Sequence, residues 1–158
     1  MRVGFGIDTH AFEAGRKLML GGVHIPHTHG LKGHSDADAL LHATIDAILG
    51  ATGRGDIGCY FPDDSPEWKD ADSSNLLTTV WQDLRDQGWY IVNLDATVIT
   101  EAPRLRAYID KIRENLGRLL CCNADVCNVK ATTSERLGFI GKGEGITAHC
   151  VVLLSRDS

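Results

Sequence analysis

Three side chains near the start of the chain are of types that bind metal ions. Asp8 and His10 lie two residues apart at the end of a segment predicted as a strand, so their side chains leave on the same face. His42 lies in a segment with helical spacing. Two neutral imidazoles and one carboxylate form a known zinc ligand set with an open fourth position. The same residue types also occur together by chance, so spacing alone leaves both interpretations open.

Two carboxylates flank His42 on the predicted helix. Asp38 and Asp46 stand at positions i−4 and i+4 on one helical face. Either could accept a hydrogen bond from the second ring nitrogen and fix its tautomer. His27 and His29 have the spacing of a second ligand pair, but they lie in a polar Pro/Gly hairpin without a carboxylate. We therefore predict an exposed loop there.

A second group of polar residues follows a predicted strand, in the sequence KATTSERLGFIGKGEG at 130–145. Thr132 and Thr133 could donate hydrogen bonds to phosphate oxygens, and Glu135 is an oxygen ligand suited to Mg²⁺ or Mn²⁺. A strand end followed by a helix cap would use the same residues, so this alternative stays open. The glycines do not form a nucleotide-binding P-loop, because Gly-Lys is followed by Gly rather than Ser or Thr.

The apolar spacing predicts the elements that must position these residues. Ser35 or Asp36 could cap the first helix. Strands that alternate with helices indicate a two-layer α/β (α+β) sandwich, with a mixed sheet covered by helices on one face, in a single domain spanning 1–158. The predicted elements are helices at 38–49, 73–87 and 104–120, strands at 2–8, 17–26, 90–100, 126–132 and 146–155, and an irregular loop at 53–68.

The last predicted strand is apolar on both faces. One face carries every second residue from Ile146 to Leu154, and the other carries Val151 and Leu153. If helices cover only one side of the sheet, the second side must meet another subunit, so we predict a homo-oligomer that packs sheet to sheet. A locally covered strand end is the alternative.

Composition and charge argue against several classes of partner and site. The net charge of −5 without a block of Lys and Arg argues against nucleic acid. No apolar run is long enough for a signal peptide or a membrane span, so we expect a cytoplasmic protein. Five cysteines without C-x-x-C spacing argue against a disulfide framework or a cysteine zinc site. The same negative charge would repel a phosphorylated substrate, so a phosphate site in this protein would need metal ions, backbone N–H groups or a few placed cations.

Five motifs lie in order along the chain. They are DTHAF at 8–12, GHSDADALLHATIDAILGA at 33–51, GDIGCYFPD at 55–63, EAP at 101–103 and VKATTSERLGFIGKGEGI at 129–146. Together they resemble the motifs of the 2-C-methyl-D-erythritol 2,4-cyclodiphosphate synthase family. The resemblance covers nearly the whole chain. It implies a phosphorus-oxygen lyase of the non-mevalonate isoprenoid pathway, which converts 4-diphosphocytidyl-2-C-methyl-D-erythritol 2-phosphate to the cyclic diphosphate and CMP.

The resemblance also implies a site for each ligand. Asp8, His10 and His42 would hold zinc or another divalent cation, and Glu135 would bind a second ion, Mg²⁺ or Mn²⁺, on the substrate diphosphate. His34 and Thr133 would act with Glu135 in catalysis, and His34 and Ser35 would belong to a mobile loop over the phosphates. The implied substrate contacts are Ser35, Asp56, Gly58, Asp63, Thr100, Ala102, Pro103, Arg104, Leu105, Arg106, Ala131, Thr132, Thr133, Phe139 and Lys142.

Family members are homotrimers with active sites between subunits, and some bind an isoprenoid diphosphate in the central channel. This sequence departs from the family pattern at Arg104, Ala107, Lys142 and His149, which leaves the nucleotide pocket and the channel ligand open. Two other functions fit the same residues. One is a diphosphate hydrolase that uses zinc-bound water, and the other is a non-catalytic trimeric binder of isoprenoid phosphates with a structural metal.

Overall fold

The computed structural model describes residues 1–62, 66 and 69–157. Five strands form one mixed sheet in the order β4-β1-β7-β5-β6, in which only the β5–β6 pair is parallel, and β2 and β3 form a separate hairpin. The strands are β1 Arg2–Ala14, β2 Leu18–Leu20, β3 Val23–Ile25, β4 His29–Leu31, β5 Trp89–Ile99, β6 Cys127–Thr132 and β7 Gly145–Arg156.

Five helices accompany the sheet in the described ranges. They are α1 Ala39–Thr52, α2 Ile57–Tyr60, α3 Ser73–Asp86, α4 Ile109–Leu119 and α5 Gly138–Gly141, with 3₁₀ turns at Arg106–Tyr108 and Ala124–Val126. The predicted mixed sheet with helices is confirmed. None of the helices in the described ranges is both long and apolar enough to cross a membrane.

Two glycines let α1 lie very close to β1. A Cβ on Gly4 would stand 1.8 Å from a backbone oxygen of α1, and a Cβ on Gly6 would stand 2.0 Å from another. Glycine is therefore the residue type that fits at both positions. Because side chains alternate along a strand, Asp8 and His10 leave β1 on the same face as the two glycines. The close approach of the two backbones brings His42, in the first turn of α1, over these side chains.

The other face of the sheet is apolar and uncovered in the single chain. Val3 and Phe5 of β1 are 69% and 57% exposed, and Val151 of β7 is 42% exposed. A locally covered strand end therefore does not describe Val151. The helix-facing residues of β7 are buried as predicted, namely Ile146, Ala148, Cys150, Val152 and Leu154.

Some predicted elements differ from the structure. The segment 17–26 is a hairpin rather than one strand, because Gly21 and Gly22 turn the chain with φ angles of 60° and 73°. The predicted loop at 53–68 contains α2. The helix predicted from residue 104 begins at Ile109. Leu105 is buried and lies about one helical turn before Ile109. The apolar spacing in the sequence therefore begins before the helix itself.

Candidate functional site

The three predicted metal ligands meet in the structure. The Oδ2 atom of Asp8 lies 2.8 Å from Nε2 of His10 and 3.1 Å from Nδ1 of His42. The two ring nitrogens are 3.4 Å apart. These residues are the group in the described ranges whose ligand atoms converge closely enough to hold an ion.

The spacing of the three atoms suits a zinc ion. Three tetrahedral ligands at zinc distances of about 2.0–2.1 Å stand roughly 3.3 Å from one another. The observed separations of 2.8, 3.1 and 3.4 Å bracket that value. One carboxylate oxygen and two imidazole nitrogens also leave room for further oxygen ligands, as in catalytic rather than structural sites. The residues present therefore fit a divalent cation.

A hydrogen bond from Nδ1 of His10 determines which nitrogen of this ring can bind the ion. Nδ1 of His10 lies 2.7 Å from the carbonyl oxygen of Lys32. A carbonyl oxygen can only accept, so Nδ1 carries a proton, and in the neutral ring Nε2 has the lone pair that would bind a cation. The backbone of the loop after β4 thus selects the tautomer that binds metal.

Serines, rather than the predicted carboxylates, face the second ring nitrogen of His42. Its Nε2 lies 2.8 Å from Oγ of Ser73 and 3.2 Å from Oγ of Ser35. The predicted role of Asp38 and Asp46 at this nitrogen is wrong, because backbone N–H groups elsewhere bind both carboxylates.

Asp38 is completely buried and serves as the N-cap of α1. Its carboxylate accepts from the N–H groups of Leu41, Gly21 and Gly22 at 3.0, 2.9 and 2.7 Å. This correction also moves the predicted cap from Ser35 or Asp36 to Asp38. Cap and hairpin together fix the start of the helix that carries the histidine ligand.

Asp46 holds the short helix α2 against α1. Its Oδ1 accepts from the N–H of Ile57 at 2.8 Å. Burial raises the pKa of Asp46 and the nearby Asp56 and Asp8 raise it further, while the Ile57 hydrogen bond lowers it. Two of the predicted substrate contacts, Asp56 and Gly58, are exposed on this segment.

Electrostatics keep the ligand carboxylate charged. Burial raises the pKa of Asp8, but in the metal-free site hydrogen bonds from the His10 and His42 rings outweigh burial and hold the pKa at about 2. Burial lowers the pKa of His10, and the hydrogen bond to Asp8 outweighs that effect, so the pKa of His10 is raised. A proton therefore competes with a cation for His10.

A large cavity opens beside the ends of β5 and β6. Its volume is about 1240 Å³. The predicted site residues that line it are Thr100, Pro103, Arg104, Leu105, Arg106, Ala131, Thr132, Thr133 and Glu135. Glu101, Arg113, Lys130 and Arg136 also line it. The cationic side chains and exposed hydroxyl groups suit a phosphorylated ligand.

The remaining predicted contacts lie outside this cavity. Ala102 lines a smaller cavity of about 400 Å³ with Phe12, His27, His29, Gly143 and Glu144. Phe139 and Lys142 are exposed around α5, outside both cavities. Asp63 lies outside the described residues. The prediction that His27 and His29 are exposed is confirmed, although His29 begins β4 rather than lying in a loop.

His34 and Ser35 differ in their surroundings. His34 is exposed, and its carbonyl oxygen accepts from the N–H of Asp70 at 2.8 Å. Ser35 is only 8% exposed, and its Oγ accepts from the N–H of Ala37 at 3.1 Å. Ser35 therefore faces His42 rather than solvent in this structure.

The triad and the large cavity lie at one end of the sheet. Thr9 of β1 pairs with Thr147 of β7, which pairs with Ile99 of β5, which pairs with Thr132 of β6. Three strand spacings of about 4.8 Å separate β1 from β6, or roughly 14 Å. The metal ligands and the cavity of one chain thus lie at the same end of the sheet without being adjacent.

Comparison with known proteins identifies the family of this chain. Residues 1–155 match the YgbB family. The chain belongs to the YgbB family. A 2-C-methyl-D-erythritol 2,4-cyclodiphosphate synthase from Geotalea uraniireducens is 56% identical over 156 residues, which cover 99% of this chain and 99% of that protein.

Solved structures resemble this YgbB-family chain along its length. A 2C-methyl-D-erythritol-2,4-cyclodiphosphate synthase in a CDP-bound form has a TM-score of 0.89 and 34% identity, with 98% of this chain and 100% of that chain covered. The bifunctional IspDF from Campylobacter jejuni has a TM-score of 0.95 and 41% identity. The match covers 99% of this chain and 42% of the bifunctional chain.

The YgbB-family site contains residues whose roles the sequence did not indicate. Oε1 of Glu101 accepts from the N–H and Oγ of Ser134 at 3.0 and 3.1 Å and from the N–H of Arg136 at 3.2 Å. These bonds hold the turn in which Glu135 and Arg136 have φ angles of 52° and 62°. Arg113 reaches the cavity from α4, and its position four residues after the lining residue Ile109 was the available signal.

Proposed function

We propose that this chain cyclises 4-diphosphocytidyl-2-C-methyl-D-erythritol 2-phosphate to 2-C-methyl-D-erythritol 2,4-cyclodiphosphate and releases CMP. The observation that carries the proposal is the convergence of Asp8, His10 and His42 within ligand distance of one another, in a YgbB-family chain whose 56%-identical relative has that name. The 2-phosphate oxygen forms a bond to the β phosphorus. The bond from that phosphorus to the bridging oxygen of the α phosphate breaks, and the electron pair leaves with CMP.

The chain needs no nucleophile of its own for this reaction. Both reacting groups belong to one substrate, so the protein must fold the substrate and stabilise the charge that shifts between phosphates. Asp8, His10 and His42 would hold a zinc ion or another divalent cation, which supplies positive charge to a phosphate oxygen when bound. Holding the reacting groups together can account for about 7–11 kcal/mol of the barrier.

The large cavity is proposed as the site of the cytidine and its phosphates. Thr132 and Thr133 place exposed hydroxyl groups there, and Arg104, Arg106 and Arg113 add positive charge. Glu135 would bind Mg²⁺ or Mn²⁺ on the diphosphate, and its carboxylate shares the cavity with Thr133. The remaining predicted substrate contacts and the catalytic role of His34 stay predictions.

A homotrimer is proposed as the working assembly. The exposed apolar face formed by Val3, Phe5, Ile7 and Val151 is the type of surface that packs against another subunit. Such an assembly could bring the cavity of one copy to the metal ligands of the next across the separation within a single chain. Light scattering coupled to gel filtration should give three times the chain mass of 17.2 kDa. A cytoplasmic location and an isoprenoid diphosphate in the trimer channel remain predictions.

Product analysis tests the proposed reaction. Incubation of the cytidyl substrate with protein, Zn²⁺ and Mg²⁺ should give CMP and the cyclic diphosphate in equal amounts by ³¹P NMR. Open-chain phosphate carrying ¹⁸O from solvent would instead identify a hydrolase. No turnover by metal-loaded trimer would favour a non-catalytic binder, and either result would contradict the proposal.

Loss of the Glu101 carboxylate should weaken nucleotide binding. In Glu101→Ala the turn after β6 loses three hydrogen bonds, so Thr133 and Glu135 lose their fixed position. We expect CDP to bind about tenfold more weakly by isothermal titration. Glu114→Ala, which removes an exposed carboxylate from α4, should bind CDP normally. Equal affinities of the two variants would rule out the anchoring role.

Metal affinity should fall as the solution becomes more acidic. The pKa of His10 is raised, so the metal-free site retains a proton at higher pH than an ordinary histidine would. The cation must displace this proton, so affinity should be greatest above the raised pKa and decrease below it. Competition with a chelator, corrected for the chelator's own protonation, should show weaker zinc binding at pH 6 than at pH 8. A flat profile would contradict the expectation.

A further inference from the structure

We propose that Asp36 and Ser73 form a positioning pair that holds His42 in the orientation and tautomer that bind metal. The inference rests on the proposed function only in requiring that a cation binds at the cluster of Asp8, His10 and His42. Neither member of the pair reaches the ion itself. Both would act through the imidazole, on the side opposite to the ligand nitrogen.

The contacts run in one line from the carboxylate to the ring. Ser73 is fully buried at the first position of α3, and its Oγ lies 2.8 Å from Nε2 of His42. The Ser73 hydroxyl also contacts Oδ1 of Asp36, and Oδ2 of Asp36 accepts from the Ser73 N–H at 3.2 Å. Asp36 therefore binds Ser73 through both the side chain and the backbone.

The direction of these hydrogen bonds follows from the groups involved. A carboxylate oxygen only accepts, so the single proton of the Ser73 hydroxyl goes to Asp36. The hydroxyl oxygen is then left to accept from Nε2 of His42, which must carry the ring proton. Nδ1 keeps its lone pair and points toward Asp8 and His10, where the cation would lie.

Ser35 is the competing partner for the same ring nitrogen. Its Oγ is farther from Nε2 of His42, at 3.2 Å, and already accepts from the N–H of Ala37 at 3.1 Å. No carboxylate contact of the Ser35 hydroxyl occurs among the described residues to fix its direction, whereas Asp36 fixes that of Ser73. Ser73 has the main role, because its oxygen is closer to Nε2 of His42 and its hydroxyl proton is donated to Asp36.

The pair also connects parts of the chain that are far apart in sequence. Asp36 lies in the loop before α1, and Ser73 begins α3, 37 residues later. The carboxylate additionally accepts from the N–H of Asp38, the cap of α1. The start of α3, the loop and the cap of α1 thus share one hydrogen-bond network around His42.

Zinc affinity measured on the full chain tests the pair without relying on catalysis. Ser73→Ala and Asp36→Asn should each weaken zinc binding about 10- to 100-fold in chelator competition, the usual effect of losing such an outer partner. Because the two residues act in series, the double variant should bind zinc no more weakly than Ser73→Ala alone. Ser74→Ala, which removes the neighbouring hydroxyl, should bind like the unmodified chain.

Two further measurements separate positioning from general stability. Ser73→Thr keeps the hydroxyl and should retain more affinity than Ser73→Ala. In the zinc-loaded chain with ¹⁵N-labelled histidine, Nε2–H of His42 should give a proton signal protected from exchange with water, and Ser73→Ala should lose that protection. The pair is ruled out if Ser73→Ala binds zinc normally or keeps the protected signal. Failure of the unmodified chain to bind zinc would instead overturn the metal site itself.

Discussion

Replacing His42 with alanine should remove zinc binding and reduce turnover by a thousandfold or more. The side chain supplies one of three converging ligand atoms, and the other two cannot hold the ion in the same way. Positive charge from a metal ion on phosphate oxygens contributes several kcal/mol to such reactions, and each 1.36 kcal/mol is a factor of ten, so a loss of about 10³ is expected. Metal content by mass spectrometry and CMP release measure the two effects.

The matched control for this variant is His24→Ala. His24 is an exposed histidine in β3, on the hairpin rather than in the cluster. It should keep both zinc and turnover. A His42→Ala protein with full metal content and full turnover would show that the cluster is not the catalytic metal site.

Replacing Gly6 with alanine should prevent normal folding. The new Cβ would overlap a backbone carbonyl oxygen of α1 at 2.0 Å, and neither backbone can move without disturbing the core. Ordinary overpacking costs about 1–3 kcal/mol, and an overlap with backbone should exceed the upper value. Since Gly6 lies two residues before Asp8, a displaced α1 should also separate His42 from the other ligands. Denaturant unfolding and zinc titration test both consequences.

Gly50→Ala is the matched control for the close approach. Gly50 is exposed on α1, and the nearest atom to its new Cβ would be the carbonyl oxygen of Phe5 at 3.9 Å. Alanine should raise the free energy of unfolding by about 0.5–1 kcal/mol, because glycine is unfavourable inside a helix. Equal effects at both positions would contradict the packing described for Gly6.

Local sequence patterns predicted those features of the site that depend on residues close together in the chain. The alternation of β1 placed Asp8 and His10 on one face, and the helical spacing of 38–49 located α1, although that helix continues to Thr52. The resemblance added most of the cavity around 100–106 and 131–135. These features depend on chain-local geometry or on motifs that can be recognised in order.

Contacts between distant segments were not predictable in the same way. The i−4 spacing predicts Asp38 as a partner for His42, yet the Gly21–Gly22 turn binds its carboxylate. Ser73 begins the helix predicted at 73–87, and no local pattern shows that its hydroxyl, next to the cap Asp72, faces His42. Sequence spacing cannot show which of several polar groups a tertiary turn will capture, because hydrogen bonds to backbone compete with those to side chains.

Anomalous diffraction at the zinc edge, from crystals grown with zinc and CDP, tests the metal site most directly. We expect a peak about 2.0–2.2 Å from Oδ2 of Asp8, Nε2 of His10 and Nδ1 of His42, with Nε2 of His42 still bonded to Ser73. A peak elsewhere, or the three side chains turned away from a common centre, would contradict the account.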